Sequence, residues 1–300
     1  MPGFHEGEQA LQREAGVYDR LAELGPRVIR DHMPEQHRDF FPLLPFVLVG
    51  SVDAQGQPWA SVLAGAPGFV HSPDPRRLRI DALPHSSDPL QGALRLGARL
   101  GLLGIQPHTR RRNRMNGTVL QHDARGFELA VDQSFGNCPK YIQPREPVFT
   151  PGRGEVGPPQ ELRVLEGAAR RLVEQADTLF IASAHPGAPS DPDARHGVDV
   201  SHRGGPAGFV RVSADGAQLT VPDYVGNFFF NTLGNLQVHP ACGLAFLDFE
   251  GGGLLQVSAR AQLVRDPARI AEFAGAQRLL RLEVTGARFT PAALPLRWST

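Results

Sequence analysis

The sequence predicts a mainly β protein: two tandem copies of one small antiparallel barrel, with peripheral helices. Three observations carry this. Phe46-Val47-Leu48 recurs as Phe180-Ile181-Ala182, and Ala66-Pro67-Gly68-Phe69-Val70 recurs 140 positions later as Pro206-Ala207-Gly208-Phe209-Val210. Gly101-Leu102-Leu103-Gly104-Ile105 recurs 142 positions later as Gly243-Leu244-Ala245-Phe246-Leu247. A period this long marks duplicated domains, not a short-repeat solenoid. Next, 33 glycines and 27 prolines among 300 residues make a turn-rich chain, which favours β architecture over a helical bundle. Finally, strands follow strands within each copy and do not alternate with helices.

The elements read in order as follows. Leu11, Ala15, Tyr18, Leu21, Leu24 and Val28 predict one amphipathic helix over about 8–32, ending before Pro34. Phe46–Val52 and Trp59–Ala64 form a hairpin around Asp53-Ala54-Gln55-Gly56. Phe69–His71 and Leu78–Asp81 are short strands about a Pro73-Asp74-Pro75 turn. Asp88-Pro89 opens a short helix, with Asp at the N-cap and Pro at the first helical position. Arg99–Ile105, Arg114–Gln121 and Phe127–Asp132 complete the first sheet. Pro151–Pro159 is a Pro/Gly linker, and Leu165–Ala176 is a second amphipathic helix. Thr178–Ala184, Val198–His202, Gly208–Val212 and Gln218–Pro222 repeat the four-strand start, with Asn227–Leu236 in place of the short helix. Cys242–Asp248 and Leu254–Val264, a helix over Pro267–Gly275 and a strand over Arg278–Val284 finish the chain. The expected division is an N-terminal helical segment (1–40), a first barrel (41–150), a linker and helix (151–177) and a second barrel (178–300).

Lys plus Arg and Asp plus Glu each total 31, so no global charge draws the chain to nucleic acid or to a membrane surface. Cys138 and Cys242 are too few for a disulfide framework and lack metal-ligand spacing, so no metal site is expected. No apolar h-region opens the chain, and no run reaches a membrane span of about 18 residues. A cytoplasmic protein is the expectation. Gly-x-Gly-x-x-Gly after a strand, the P-loop, His-Glu-x-x-His and Gly-x-Ser-x-Gly are all missing, which argues against the corresponding dehydrogenases, NTPases, proteases and hydrolases.

Four polar stretches interrupt the apolar text. Ser201-His202-Arg203-Gly204-Gly205 pairs a guanidinium fork with glycines that admit close backbone approach, as phosphate recognition requires; a hairpin turn with a surface arginine reads equally well. Gly226-Asn227 leads into Asn231, Thr232 and Asn235, of which 231 and 235 share a helix face near its N-terminus, suited either to an anion or to simple capping. Phe228-Phe229-Phe230 offers apolar surface for a flat ring or for the core. In His108–Arg114, strand alternation would point Arg110, Arg112 and Arg114 together toward a phosphate, while a solvated charged loop is the plainer alternative. Gln133–Tyr141 contains Asn137-Cys138-Pro139, with Lys140 and Tyr141 as candidate ligand contacts. No catalytic residue is assigned.

On His108–Gly117, Gln133–Gln143, Asp199–Gly205, Gly226–Asn235 and Pro295–Trp298, the chain resembles the pyridoxamine 5′-phosphate oxidase-like proteins with an FMN-binding split barrel. More closely it is similar to their tandem, flavin-nucleotide-binding branch. The resemblance implies two split barrels packed as a pseudo-dimer, as a monomer or a further homodimer, with FMN in the groove between them. It implies an oxidoreductase acting on a small-molecule substrate or electron donor, or else a non-catalytic flavin, haem or deazaflavin binder. By position, Arg203 corresponds to the arginine that meets the FMN phosphate, and Gln256 to the glutamine near the flavin ring. Asn231 and Thr232 stand where the authentic oxidases carry an Arg-Lys pair, with Arg110 to Arg114 as the compensating charge. That replacement, and the lack of an Arg-x-His near the C-terminus, argue against pyridoxamine phosphate oxidation itself.

Overall fold

Phe46–Val52 is apolar at nearly every position because both of its faces are covered. Val47 and Val49 point into the first copy's own core, while Phe46 and Leu48 point across to the second copy. Side chains alternate along a strand, so a strand buried on both sides reads as one continuous apolar run. Leu100 and Leu102 against Leu103 and Ile105 obey the same rule, as do Leu179 and Ile181 against Phe180 and Ala182.

The computed structural model describes residues 3–299. In chain order it runs α1 (Glu6–Glu14), α2 (Tyr18–Val28), α3 (Glu35–Arg38), β1 (Phe46–Val52), β2 (Pro58–Ala64), β3 (Val70–Asp74), β4 (Arg77–Ile80), α4 (Pro89–Ala93), β5 (Arg99–Gln106), β6 (Arg111–Asp123) and β7 (Gly126–Gly136). There follow β8 (Glu146–Phe149), β9 (Gln160–Leu162), α5 (Gly167–Gln175), β10 (Thr178–Ala184), β11 (Val198–Gly204), β12 (Arg211–Val212) and β13 (Gln218–Tyr224). The chain ends with α6 (Asn231–Val238), β14 (Ala241–Leu247), β15 (Leu254–Val264), α7 (Pro267–Ile270), β16 (Ala276–Thr290) and β17 (Leu296–Ser299).

The first sheet has the order β2-β1-β5-β6-β7-β4-β3 and the second the order β11-β10-β14-β15-β16-β13-β12, with antiparallel pairing throughout. The two orders correspond strand for strand, as the sequence repeat requires. The copies meet through β1, β2 and β5 on one side and β10, β11 and β14 on the other. Phe46, Leu48, Ala60, Leu103 and Ile105 pack there against Phe180, Ala182, Val200, Ala245 and Leu247. Glycine is required at two matched places. A Cβ on Gly101 would lie 2.5 Å from the carbonyl oxygen of Val198, and one on Gly243 would fall on the carbonyl oxygen of Pro58. The two positions are counterparts 142 residues apart, and their obstacles are counterparts 140 apart, so the seam obeys a pseudo-twofold.

Three local expectations are corrected. The single helix over 8–32 is two helices, broken at Gly16, whose φ of +67° suits a left-handed turn. Helix α1 also packs on the second copy: Leu11 joins that core, and Gly7 lies against the carbonyl of Gly234 in α6. The helix expected over Pro267–Gly275 stops at Ile270. The last core strand, β16, spans Ala276–Thr290 because it pairs with β13 and β15 in succession and also carries β9. In addition, β8 pairs with the terminal β17, so the tail of the chain returns to the segment that follows the first sheet. No helix among the described residues is long and apolar enough to cross a membrane.

Candidate functional site

A cleft opens beside the apolar seam. It is bounded by β11, the end of β13 and residues 226–233 of the second copy, and by β6 and Asn137-Cys138 of the first. Strand alternation along β6 sends Arg112, Arg114 and Asn116 toward the second copy, while Met115 enters its own core.

Arg114 is 3% exposed. It donates to Asp199 Oδ1 at 3.0 Å, to Asn231 Oδ1 at 3.0 Å and to the Ser201 hydroxyl. Burial pushes its pKa down, and Asp199 acts in the opposite direction. Asp199 also accepts from Asn116 at 2.7 Å and from Asn235 at 3.3 Å, so three donors satisfy one buried carboxylate. Thr232 Oγ1 donates to Ser201 Oγ at 2.8 Å. Asn231 Nδ2 donates at 2.5 Å to Glu8 on α1, whose carboxyl is pushed well above the usual range by burial and then by Asp199. The N-terminal helix therefore backs the cleft wall from the side opposite the ligand space.

Arg112 donates to the Cys138 carbonyl at 2.8 Å, meets the Cys138 thiol at 3.5 Å, and reaches His202 Nδ1 at 2.9 Å. Guanidinium can only donate, so His202 Nδ1 accepts. Burial, then Arg112 and Arg203, hold the His202 pKa well below 6.5, which fixes the neutral ring with its hydrogen on Nε2. Arg203 lies 3.6 Å from Asp223, which Arg278 also approaches at 3.5 Å. Burial raises the Asp223 pKa, and the two guanidiniums oppose that rise. Nε of Arg203 is buried without a hydrogen-bond partner.

The aromatic wall is strained. Phe228 and Phe230 have φ of 63° and 62°, a region that bulky L-residues rarely occupy. Both line the cleft beside Tyr224, which stacks on Tyr141 at 5.1 Å between centroids. Tyr141 itself has φ 64°.

The structure gathers His202, Arg203, Asn227, Asn231, Thr232, Arg112 and Arg114 around this one cleft. Lys140, Tyr141 and Gly204 lie in an adjoining depression that shares Arg112, His202 and Arg203. Asn235 sits a turn deeper, bonded to Ser183 and Asp199. Two expected members stand elsewhere. Arg110 occupies the left-handed turn before β6 (φ 55°) and is exposed, because strand alternation begins only at Arg111. Gln256 lies at the pseudo-twofold counterpart of Arg114, facing the first copy's β2 instead of Arg203. Sequence reasoning missed Asp223 and Glu8. Glu8 carries no separate signal, since as the third residue of α1 it reads as an ordinary capping-box acid.

That counterpart position differs in kind. Arg112, Arg114, His202 and Arg203 correspond by the 142- and 140-residue offsets to Leu254, Gln256, Val62 and Leu63. Gln256 Nε2 donates there to the Ala60 carbonyl at 3.0 Å, and it lies 3.3 Å from Ser61 Oγ and 3.2 Å from Asp88 Oδ2. Ser61 in turn donates to Asp88 at 2.5 Å. The polar groups satisfy one another, and the arginines that line the cleft have apolar or neutral replacements.

The family model described as pyridoxamine 5′-phosphate oxidase matches residues 33–153 and again 165–292. No curated protein matches the chain. Among solved structures, a Clostridium acetobutylicum protein of the pyridoxinephosphate oxidase family, related to general stress protein 26, is 10% identical. It covers 44% of this chain and 91% of its own, with a TM-score of 0.32. HutZ of Vibrio cholerae, described as a heme storage protein, is 16% identical over 43% of this chain and 95% of its own, with a TM-score of 0.29. An F420 reductase is 15% identical over 41% of this chain and 97% of its own, with a TM-score of 0.29. With two successive matches of one family model falling on two sheets of the same strand order, the chain belongs to the pyridoxamine 5′-phosphate oxidase family.

Proposed function

We propose that this cleft binds flavin mononucleotide and that the chain is a flavin-dependent oxidoreductase with one ligand site built from both copies. The observation that carries the reading is the buried Nε of Arg203, which has no hydrogen-bond partner, beside Arg112 and the His202 Nε2–H. Asp223 is already shared with Arg278 and lies no closer than 3.5 Å, so it leaves donor capacity for a phosphate. Phe228, Phe230 and Tyr224 supply a wall against which a flat tricyclic ring fits. Arg203 would hold the phosphate, Asn227 and Thr232 would orient the ligand, and Arg114 would keep Asn231 and Ser201 in place.

Flavin, when bound, supplies hydride or electron transfer, and the protein supplies binding and orientation. Asn231 and Thr232 carry no charge where the oxidases of this family have an Arg-Lys pair. Cationic donors come instead from Arg112 and Arg114 on the other copy, so pyridoxamine phosphate is not the proposed substrate. The test is the absorbance spectrum of the purified full chain, followed by titration with flavin mononucleotide. Saturable binding with a flavin spectrum supports the reading. A colourless protein that takes up no flavin refutes it, and a Soret band on haem titration replaces it with haem binding.

A further inference from the structure

The concave surface does not end where the phosphate is placed. Arg112, His202, Arg203 and Tyr224 line the cleft and also line a second hollow, whose own lining adds Lys140 and Tyr141. A mononucleotide stops at its phosphate. With that phosphate on Arg203, the ammonium of Lys140 and the ring of Tyr141 lie beyond the ligand. We infer that the site is built for the longer form of the same cofactor, flavin adenine dinucleotide. Its flavin half fills the cleft, its diphosphate crosses the shared boundary, and its adenosine end lies in the second hollow. The inference rests on the reading that flavin occupies the cleft.

The donors suit a diphosphate. Arg203 Nε is buried without a hydrogen-bond partner, and His202, 6% exposed, accepts from Arg112 on Nδ1 and so keeps its Nε2–H for a ligand. Those groups stand on the boundary that the two hollows share, and Lys140 adds a cation that lines the second one alone. A terminal phosphate uses the boundary only, whereas a bridging diphosphate uses both places.

Tyr141 is the independent observation. Its φ of 64° is a conformation that bulky residues rarely keep unless the surroundings impose it. Three contacts impose it. A Cβ on Gly204 would fall on the Tyr141 carbonyl oxygen, so only glycine lets β11 come so close. Gln143 Nε2 donates to the Gly205 carbonyl at 3.0 Å and ties the following residues to the same strand. The Tyr141 hydroxyl donates to the Val225 carbonyl at 3.2 Å. The ring stacks on Tyr224 and is still 40% exposed, so aromatic surface stays open. A ring held in place from both ends, beside a cation, is a ready platform for a nucleobase and its phosphate.

The experiment titrates the full chain with flavin mononucleotide and with flavin adenine dinucleotide by calorimetry. The dinucleotide should bind about tenfold more tightly or better, since it adds a charged hydrogen bond and a stacked base. ADP, which carries the second half without the flavin, should displace the dinucleotide competitively. Lys140→Ala and Tyr141→Leu, both at exposed positions, should each bring the two flavin constants to within about twofold of one another, with the ligand-free melting curve in place. Lys140→Arg, which keeps the charge, should retain the preference. Equal constants in the parent chain, or a preference that Lys140→Ala and Tyr141→Leu both keep, overturn the dinucleotide and leave the mononucleotide reading standing. A chain that takes up neither flavin overturns both.

Discussion

Replacing Arg203 by alanine isolates the phosphate contact. The side chain is 25% exposed, and its nearest anion, Asp223, keeps Arg278 at 3.5 Å when Arg203 is removed. The loss falls on the ligand. A hydrogen bond between charged groups is worth about 1.5–3 kcal/mol net, and each 1.4 kcal/mol is tenfold in affinity. The dissociation constant for flavin mononucleotide should therefore rise about 10- to 150-fold. Riboflavin, which lacks the phosphate, should bind the parent and Arg203→Ala chains equally. Fluorescence quenching of both ligands, read on parent and variant in parallel, gives four constants. An unchanged constant for flavin mononucleotide, or an equal loss for riboflavin, refutes the assignment of Arg203 to the phosphate.

Flavin titration should saturate at one molecule per chain, because the counterpart position presents Leu254, Gln256, Val62 and Leu63; two per chain contradicts the asymmetry while leaving flavin binding intact. Gly243→Ala should lower stability by about 1–3 kcal/mol in chemical unfolding, since its Cβ meets the Pro58 backbone at the seam; wild-type stability would show that the copies yield there. His37, buried beside Ser134, has its pKa lowered to about 4, mainly by burial and secondarily by Arg30 and Arg111. The unfolded chain then binds the extra proton first, so stability is full above pH 6.5 and falls as pH drops toward 4, by about 3 kcal/mol. Unfolding free energies across that window should lose part of their slope in His37→Gln, since His5 and His202 are shifted in the same direction, and an unaltered slope would assign the loss to those groups.

The duplication and the mainly β character were legible because apolar runs such as Phe46–Val52 and Thr178–Ala184 are local and periodic. The family followed from motifs that lie on those strands and their connections. Arg112 and Arg114 were legible as partners because alternation within one strand fixes their common direction. Arg110 was not, because the left-handed turn that removes it from the strand depends on the preceding Pro107–Thr109 turn. Gln256 was placed by analogy with a single subunit. Only the geometry of the pair says which copy faces which, and that sends Gln256 to Ser61 and Asp88. Glu8, Asp199 and Asp223 act through partners from 20 to 223 positions away, such as Arg203–Asp223 and Glu8–Asn231, and no local pattern reports them. The strained φ of Phe228 and Phe230 is likewise a property of tertiary fit and leaves no mark in composition.

The unlike fates of Arg114 and Gln256 show what covalent fusion of two barrels makes available. In a dimer of identical subunits, every substitution is written twice, so neither groove can change without the other. Once both copies share a chain, that constraint ends. One groove is free to keep its cations, and the other is free to become a hydrogen-bonded keystone of Gln256, Ser61 and Asp88. A chain of this kind can trade capacity for rigidity, retaining a single reactive face and using the other to steady it.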